Sequence, residues 1–167
     1  MRARVLIVDD EPEMALEVAE YLEADLGPVG IATSAFEALP RLGPGSTVEV
    51  VIVDLRMPGM DGFELIERVQ GEQGEASPRF IITTGHGGPA ERRKAEALQV
   101  AAFIDKPFDL ERLRAEVLRC LGEQWSSAEM PLSKATAAGY TQQLEERVDA
   151  LEGQLRQLQS QLQALRR

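Results

Sequence analysis

The chain has 167 residues, of which 44% are apolar and 28% charged, a composition that suits one soluble domain with an appendage. No apolar run approaches the roughly 20 residues that a membrane-spanning helix needs, and the run after the N-terminal Met-Arg-Ala-Arg is too short for a signal peptide. We therefore expect a cytoplasmic protein that does not engage a membrane. The net charge is −10, and residues 1–133 carry −11 of it against +1 in the remainder. Because so acidic a body repels phosphate backbones, direct binding of DNA or RNA is not expected.

Short apolar runs alternate with helical patterns along residues 1–122, which we interpret as one domain. The runs predicted to be strands are residues 5–8, 29–33, 48–54, 79–84 and 101–104. The segments predicted to be helices are residues 12–25, a segment that begins after Ser34, and residues 61–70, 89–98 and 109–121. This rhythm predicts an α/β fold with a five-stranded parallel sheet and helices on both of its faces.

Local signals refine several of these elements. Ser34 is a predicted N-cap with Glu37 at the spacing of a capping box, and Pro40 should kink or end the helix that follows. Residues 71–78 are polar and are predicted to form a loop. Cys120 lies in an apolar helical register and is predicted to be a small core residue.

The chain changes character after residue 122. Residues 123–139 contain Pro131 and Gly139, which interrupt helices, so this segment is predicted to be a linker. In residues 140–167, apolar residues recur at alternating intervals of four and three: Leu144, Val148, Leu151, Leu155, Leu158, Leu162 and Leu165. This heptad pattern predicts a coiled-coil helix that makes the protein a homodimer. A tail docked on the domain and a disordered tail are the alternatives.

Polar residues stand where the predicted strands end. Asp9 and Asp10 follow the first strand, Asp54 ends the third, Thr84 ends the fourth and Lys106 follows the fifth. Each feature alone is more often a solvated turn, a cap or a surface charge. Because the carboxyl ends of parallel strands meet at one edge of the sheet, however, these residues should lie close together.

Such an acidic cluster requires a counter-charge, since neighbouring carboxylates do not all stay ionised without one. Mg²⁺ suits this site because it takes one or two carboxylates and keeps several waters, and Lys106 adds a second positive charge. An aspartate held beside these cations is suited to attack a phosphoryl group and form an acyl phosphate. The cations would then offset charge on the transferring oxygens.

Four motifs together resemble the receiver domain of response regulators in two-component signalling, which has the flavodoxin-like, CheY-like fold. They are VLIVDDE at residues 5–11, VIVDLRMPGMDG at 51–62, IITTGHG at 81–87 and FIDKPFD at 103–109. The resemblance implies that Asp54 accepts a phosphoryl group from a histidine kinase. It also implies that Asp9, Asp10, Asp54 and the backbone carbonyl of Arg56 bind Mg²⁺, with Asp9 acting mainly through a coordinated water.

The same resemblance assigns roles to the remaining motif residues. Lys106 would contact the phosphoryl group, and its bond to Pro107 would be cis. Thr84 would be the switch hydroxyl, preferred over Thr83 because it directly precedes a small residue. Phe103 would be the aromatic residue that changes rotamer when Thr84 moves. The positions of Arg56 and His86 vary in the family and influence how fast the phosphate is lost.

These observations favour a phosphorylation-dependent switch that alters dimerisation or partner binding and is not an enzyme acting on outside substrates. The sequence contains no nucleotide-binding loop, zinc-ligand spacing or hydrolase triad. Two alternatives remain at this point. The chain could be an adaptor that works without phosphorylation, or the receiver part of a larger protein with a downstream output module.

Overall fold

Five parallel strands form the central sheet of the computed structural model, which describes residues 3–85 and 87–122. The strands β1 to β5 are Val5–Val8, Val29–Ala32, Val50–Asp54, Arg79–Thr84 and Ala102–Asp105. They are ordered β2-β1-β3-β4-β5, and every neighbouring pair is parallel. The predicted linker and coiled coil, residues 123–139 and 140–167, lie outside the described residues.

Helices cover both faces of this sheet, as the sequence predicts. The helices α1 to α5 are Pro12–Leu26, Ala35–Ala38, Gly62–Gln73, Pro89–Ala97 and Leu110–Cys120. Residues of α1 and α5 pack on one face, and residues of α2, α3 and α4 pack on the other. The predicted five-stranded parallel α/β fold is therefore confirmed for the part of the chain that the structure describes.

Alternation along the strands divides the core between these two faces. In β1, Val5 and Ile7 pack with α1 and α5, whereas Leu6 and Val8 pack with α2, α3 and α4. Every residue of β1 and β3 is buried. Strands buried on both faces have no polar side, which is why these two appear in the sequence as continuous apolar runs.

The helix α2 is short, as the position of Pro40 predicts. Ser34 caps it, since the Ser34 hydroxyl accepts a hydrogen bond of 3.2 Å from the Glu37 amide. The Glu37 carboxylate accepts from the Thr33 amide at 2.9 Å, one residue before the cap. Regular helix then gives way to a short 3-10 helix, Leu39–Arg41, which contains Pro40. Cys120 is buried, as predicted.

The predicted loop at residues 71–78 was partly wrong, because α3 continues through Gly71 to Gln73. A short 3-10 helix, Gly74–Ala76, follows it. One internal glycine costs a helix only about 1 kcal/mol, which its other contacts can offset. The helix ends at Gly74, whose φ is 56° and whose amide bonds to the Gln70 carbonyl. Smaller differences affect β3, which starts at Val50, and β5, which is displaced by one residue to Ala102–Asp105.

The start of α3 lies unusually close to the end of β3. Asp61 caps the helix in a complete capping box with Glu64, and the Gly62 amide donates to the Leu55 carbonyl at 3.2 Å. A Cβ atom at Gly62 would lie 2.5 Å from the Asp54 carbonyl oxygen. Only glycine allows this approach, which holds the loop between β3 and α3 against the strand that ends in Asp54.

We expect Gly62→Ala to lower the free energy of unfolding by about 1–3 kcal/mol, because the new methyl group meets backbone atoms that cannot move aside. Gly71→Ala in the same helix is the matched control. A Cβ there meets nothing within 4 Å, so this change should stabilise the domain by about 0.5–1 kcal/mol. Urea unfolding of both variants measures the difference. Equal effects of the two substitutions would contradict the close packing at Gly62.

Candidate functional site

Lys106 joins two buried aspartates at the carboxyl edge of the sheet. Its Nζ lies 2.8 Å from Asp9 Oδ2 and 2.9 Å from Asp54 Oδ1. The exposed fractions of the three side chains are 13% for Lys106, 5% for Asp9 and 7% for Asp54. Lys106 follows β5, Asp9 follows β1 and Asp54 ends β3. The expected convergence is therefore observed for these three strand ends. The Lys106–Pro107 peptide bond is cis, in agreement with the family resemblance.

Burial and charge act in opposite directions on Lys106. Burial lowers the pKa of its ammonium group, because the charged form is less well solvated. Hydrogen bonds and charge attraction from Asp9 and Asp54 outweigh this effect, and the pKa of Lys106 is raised above its usual value. Lys106 is therefore a permanent cation at neutral pH.

Each of the two buried carboxylates is also fixed by the backbone that follows it. The Glu11 amide donates to Asp9 Oδ1 at 2.9 Å, and the Arg56 amide donates to Asp54 Oδ2 at 2.6 Å. In both cases the donor stands two residues after the aspartate, the geometry of an Asx turn. One oxygen of each carboxylate thus faces Lys106, and the other bonds its own loop.

The oxygen-rich donor set at this edge fits a hard divalent cation. Asp9 and Asp54 supply buried carboxylates, and Asp10 adds an exposed one directly after Asp9. No set of three or more His, Cys, Asp or Glu side chains within residues 3–85 and 87–122 is arranged to hold a metal by itself. Mg²⁺ does not need such a cage, because it binds proteins through one or two carboxylates and keeps waters. The backbone carbonyl of Arg56 remains a predicted ligand.

The predicted switch residues, Thr84 and Phe103, lie on the face of the sheet that packs with α2, α3 and α4. Thr84 follows Phe80 and Ile82 in alternation, which places it on the face of α2, α3 and α4. Phe103 packs against the same cluster. Asp54 instead follows Val50 and Ile52, which pack with α1 and α5. Thr84 and Thr83 are both buried, and alternation puts Thr83 on the Asp54 face.

The sequence did not indicate the surroundings of Phe103. The Arg92 guanidinium of α4 lies over the Phe103 ring, 4.8 Å from its centroid, and forms an ion pair with Asp105 of β5. A Cβ at Gly87 would lie 2.5 Å from both the Phe103 ring and Asp105 Oδ1. In the sequence, Arg92 belongs to the charged stretch of α4, and such a stretch does not by itself indicate a specific contact. His86 lies outside the described residues, so its predicted influence on the loss of phosphate stays a prediction.

A family model gives an independent comparison. The model described as "Response regulator receiver domain" matches residues 5–118, more than half of the chain. The chain belongs to the response regulator receiver family. Receiver domains are phosphorylated by histidine kinases and generally bind Mg²⁺ at the phosphorylation site.

Curated relatives of this receiver domain are bacterial regulators. It is 32% identical over 117 residues to the transcriptional regulatory protein FixJ of Bradyrhizobium diazoefficiens, covering 70% of this chain and 55% of FixJ. It is 32% identical over 127 residues to the response regulator Rre1 of a Synechocystis species, covering 75% of this chain and 54% of Rre1. The receiver chain thus spans about half the length of these relatives.

Solved structures show the same receiver architecture. A CheY-like receiver domain protein from Methanospirillum hungatei is 25% identical, with a TM-score of 0.66 and coverage of 74% of this chain and 96% of that one. The chemotaxis protein CheY4 of Vibrio cholerae is 27% identical, with a TM-score of 0.64 and coverage of 72% and 99%. Among the described residues, no helix has the length and apolar character needed to span a bilayer.

Proposed function

We propose that this receiver domain accepts a phosphoryl group on Asp54 from the phosphohistidine of a histidine kinase, and that the phosphorylated form changes dimerisation or partner binding. The observation that carries this proposal is the position of Lys106, whose ammonium group touches both Asp54 and Asp9 in a site nearly closed to solvent. A lysine placed there is close enough to contact the phosphoryl oxygens as they arrive on Asp54.

The transfer is a simple exchange of bonds. A carboxylate oxygen of Asp54 forms a bond to phosphorus while the bond between phosphorus and the histidine nitrogen breaks, and the imidazole leaves as a neutral group after taking up a proton. Lys106 offsets charge on the phosphoryl oxygens, and the Arg56 amide holds the second oxygen of Asp54 in place. Asp9, Asp10, Asp54 and the Arg56 carbonyl would hold Mg²⁺, which would supply further electrostatic stabilisation of the same oxygens.

The switch would act through Thr84 and Phe103. Both lie on the face of the sheet that carries α4, and Thr84 pairs in register with Asp105, two residues after Phe103. A shift of Thr84 toward the phosphoryl group would leave space that the Phe103 ring can enter. Dimerisation through residues 140–167 is part of the same proposal and rests on the heptad pattern alone.

Incubation of the intact protein with acetyl phosphate and Mg²⁺ tests the proposal. We expect a mass gain of one phosphate that depends on Mg²⁺, and reductive trapping of the acyl phosphate followed by peptide mapping should place it on residue 54. Light scattering of the same sample reports any change of oligomeric state. Absence of the mass gain, or its mapping to another residue, would refute Asp54 as the acceptor.

A further inference from the structure

An ion pair links the loop after β3 to the first turn of α4. Arg56 Nη2 lies 3.2 Å from Glu91 Oε1. The Arg56 side chain is 69% exposed and the Glu91 side chain 28% exposed, and both residues line a surface groove. Leu55, Phe63 and Lys94 also line this groove, which has a volume of about 260 Å³.

Arg56 and Glu91 also contact different parts of the fold. Glu91 lies against the backbone of its own helix cap, since a Cβ at Gly88 would be only 2.7 Å from Glu91 Oε2. Arg56 is anchored by its amide, which donates to Asp54 Oδ2 at 2.6 Å, while its long side chain extends into solvent. Arg56 therefore has one end on the candidate phosphoacceptor and the other end on α4.

We propose that Glu91 and phosphorylated Asp54 compete for the Arg56 guanidinium, so that Glu91 is a positioning residue that opposes phosphorylation. This inference rests on the proposed function of Asp54. The phosphoryl group on Asp54 would itself carry roughly 1.5–2 negative charges at pH 7, more than the single charge of Glu91. Guanidinium groups also match phosphate oxygens geometrically and form strong, often bidentate, hydrogen bonds with them.

The exposure of the Arg56–Glu91 pair makes such an exchange easy. Exposed ion pairs are weak because water screens them and because ordering two long side chains costs entropy. When Arg56 turns to the phosphoryl group, the first turn of α4 loses its tie to the loop after β3. The pair is thus a direct electrostatic connection from Asp54 to α4, separate from the Thr84 and Phe103 pathway across the sheet.

A double-mutant cycle tests this competition with beryllium fluoride, a phosphoryl mimic, in the presence of excess Mg²⁺. Beryllium is titrated at fixed fluoride, and fluorine NMR gives the concentration at half-saturation. We expect Glu91→Gln to lower this concentration about two- to fivefold and Arg56→Gln to raise it by a similar factor, the range that one exposed ion pair supplies. In the Arg56→Gln background, Glu91→Gln should have no further effect.

Glu67→Gln is the matched control, because it removes one negative charge from another exposed ion pair that reaches α4. Glu67 Oε1 lies 2.9 Å from Lys94 Nζ. We expect its half-saturation to equal that of the wild type. The proposal is overturned if Glu67→Gln and Glu91→Gln act alike, or if Glu91→Gln keeps its effect without Arg56. If the wild type binds no beryllium fluoride, or Asp54→Asn binds it equally well, the proposed function fails together with this inference.

Discussion

Asp54→Asn is expected to abolish the uptake of phosphate from acetyl phosphate. Asparagine has nearly the size of aspartate, and its carbonyl oxygen can still accept the hydrogen bond from the Arg56 amide, which measures 2.6 Å in the wild type. Its amide nitrogen is not a nucleophile at neutral pH, so no acyl phosphate forms. Intact-mass spectrometry after incubation with acetyl phosphate and Mg²⁺ should show the unmodified mass only.

Asp105→Asn is the matched control for this loss. Asp105 is an exposed aspartate at the end of β5, the strand that leads to Lys106, and it pairs with Arg92. The same chemical change at this position should leave phosphate uptake intact. Uptake by Asp54→Asn at the wild-type level would show that another residue is the acceptor, while loss of uptake in both variants would point to a general effect of removing acidic charge.

Lys106→Met should have the largest effect on stability. The change leaves Asp9 and Asp54, which are both buried, without the cation they share. Breaking a buried ion pair by removing one partner typically costs about 3–5 kcal/mol. We expect about 3 kcal/mol in Mg²⁺-free buffer, at the lower end of that range because water reaches part of the Lys106 side chain. Urea unfolding measures the loss, and phosphate uptake should fall as well.

The contribution of Lys106 to stability should also depend on pH in a defined direction. The folded-state pKa of Lys106 is raised above its unfolded value by Asp9 and Asp54, which outweigh burial. The stabilisation is therefore complete below the unfolded-state pKa of about 10.4 and is lost as the pH rises through the higher folded-state pKa. The difference in unfolding free energy between wild type and Lys106→Met should stay constant near neutral pH and shrink in strong alkali.

Lys94→Met controls for the loss of a lysine as such. Lys94 pairs with Glu67 on the surface, with both side chains roughly half exposed, so its replacement should change the free energy of unfolding by no more than about 1 kcal/mol. Addition of Mg²⁺ should restore more stability to Lys106→Met than to either the wild type or this control, because a cation can then neutralise the two aspartates. Equal costs for both lysine variants would contradict the role of Lys106 as their shared counter-charge.

The convergence of Asp9, Asp54 and Lys106 could be predicted because it follows from sheet geometry. Strands β1 and β3 are continuous apolar runs, and the carboxyl ends of parallel strands meet at one edge. Once three strands are recognised, the polar residues at their ends must lie close together. The sequence needs to specify only where each strand stops, and charged residues mark those points.

Contacts between side chains of different elements could not be predicted in the same way. The pairing of Arg56 with Glu91 and of Arg92 with Asp105 depends on how α4 is rotated about its axis and how far it lies along β5. The apolar pattern of α4 is too sparse to define that rotation, since Ala95 is its only buried residue. In the sequence its charged residues are typical of a solvated surface, although in the structure Glu91, Arg92 and Lys94 connect α4 to neighbouring elements.

Alternation along the strands places Asp54 on the face of the sheet that packs with α1 and α5, whereas Phe103 lies on the face that packs with α4. If Asp54 is the acceptor, as proposed above, a phosphate donor and a protein that recognises the phosphorylated form would not have to compete for the same face of the domain.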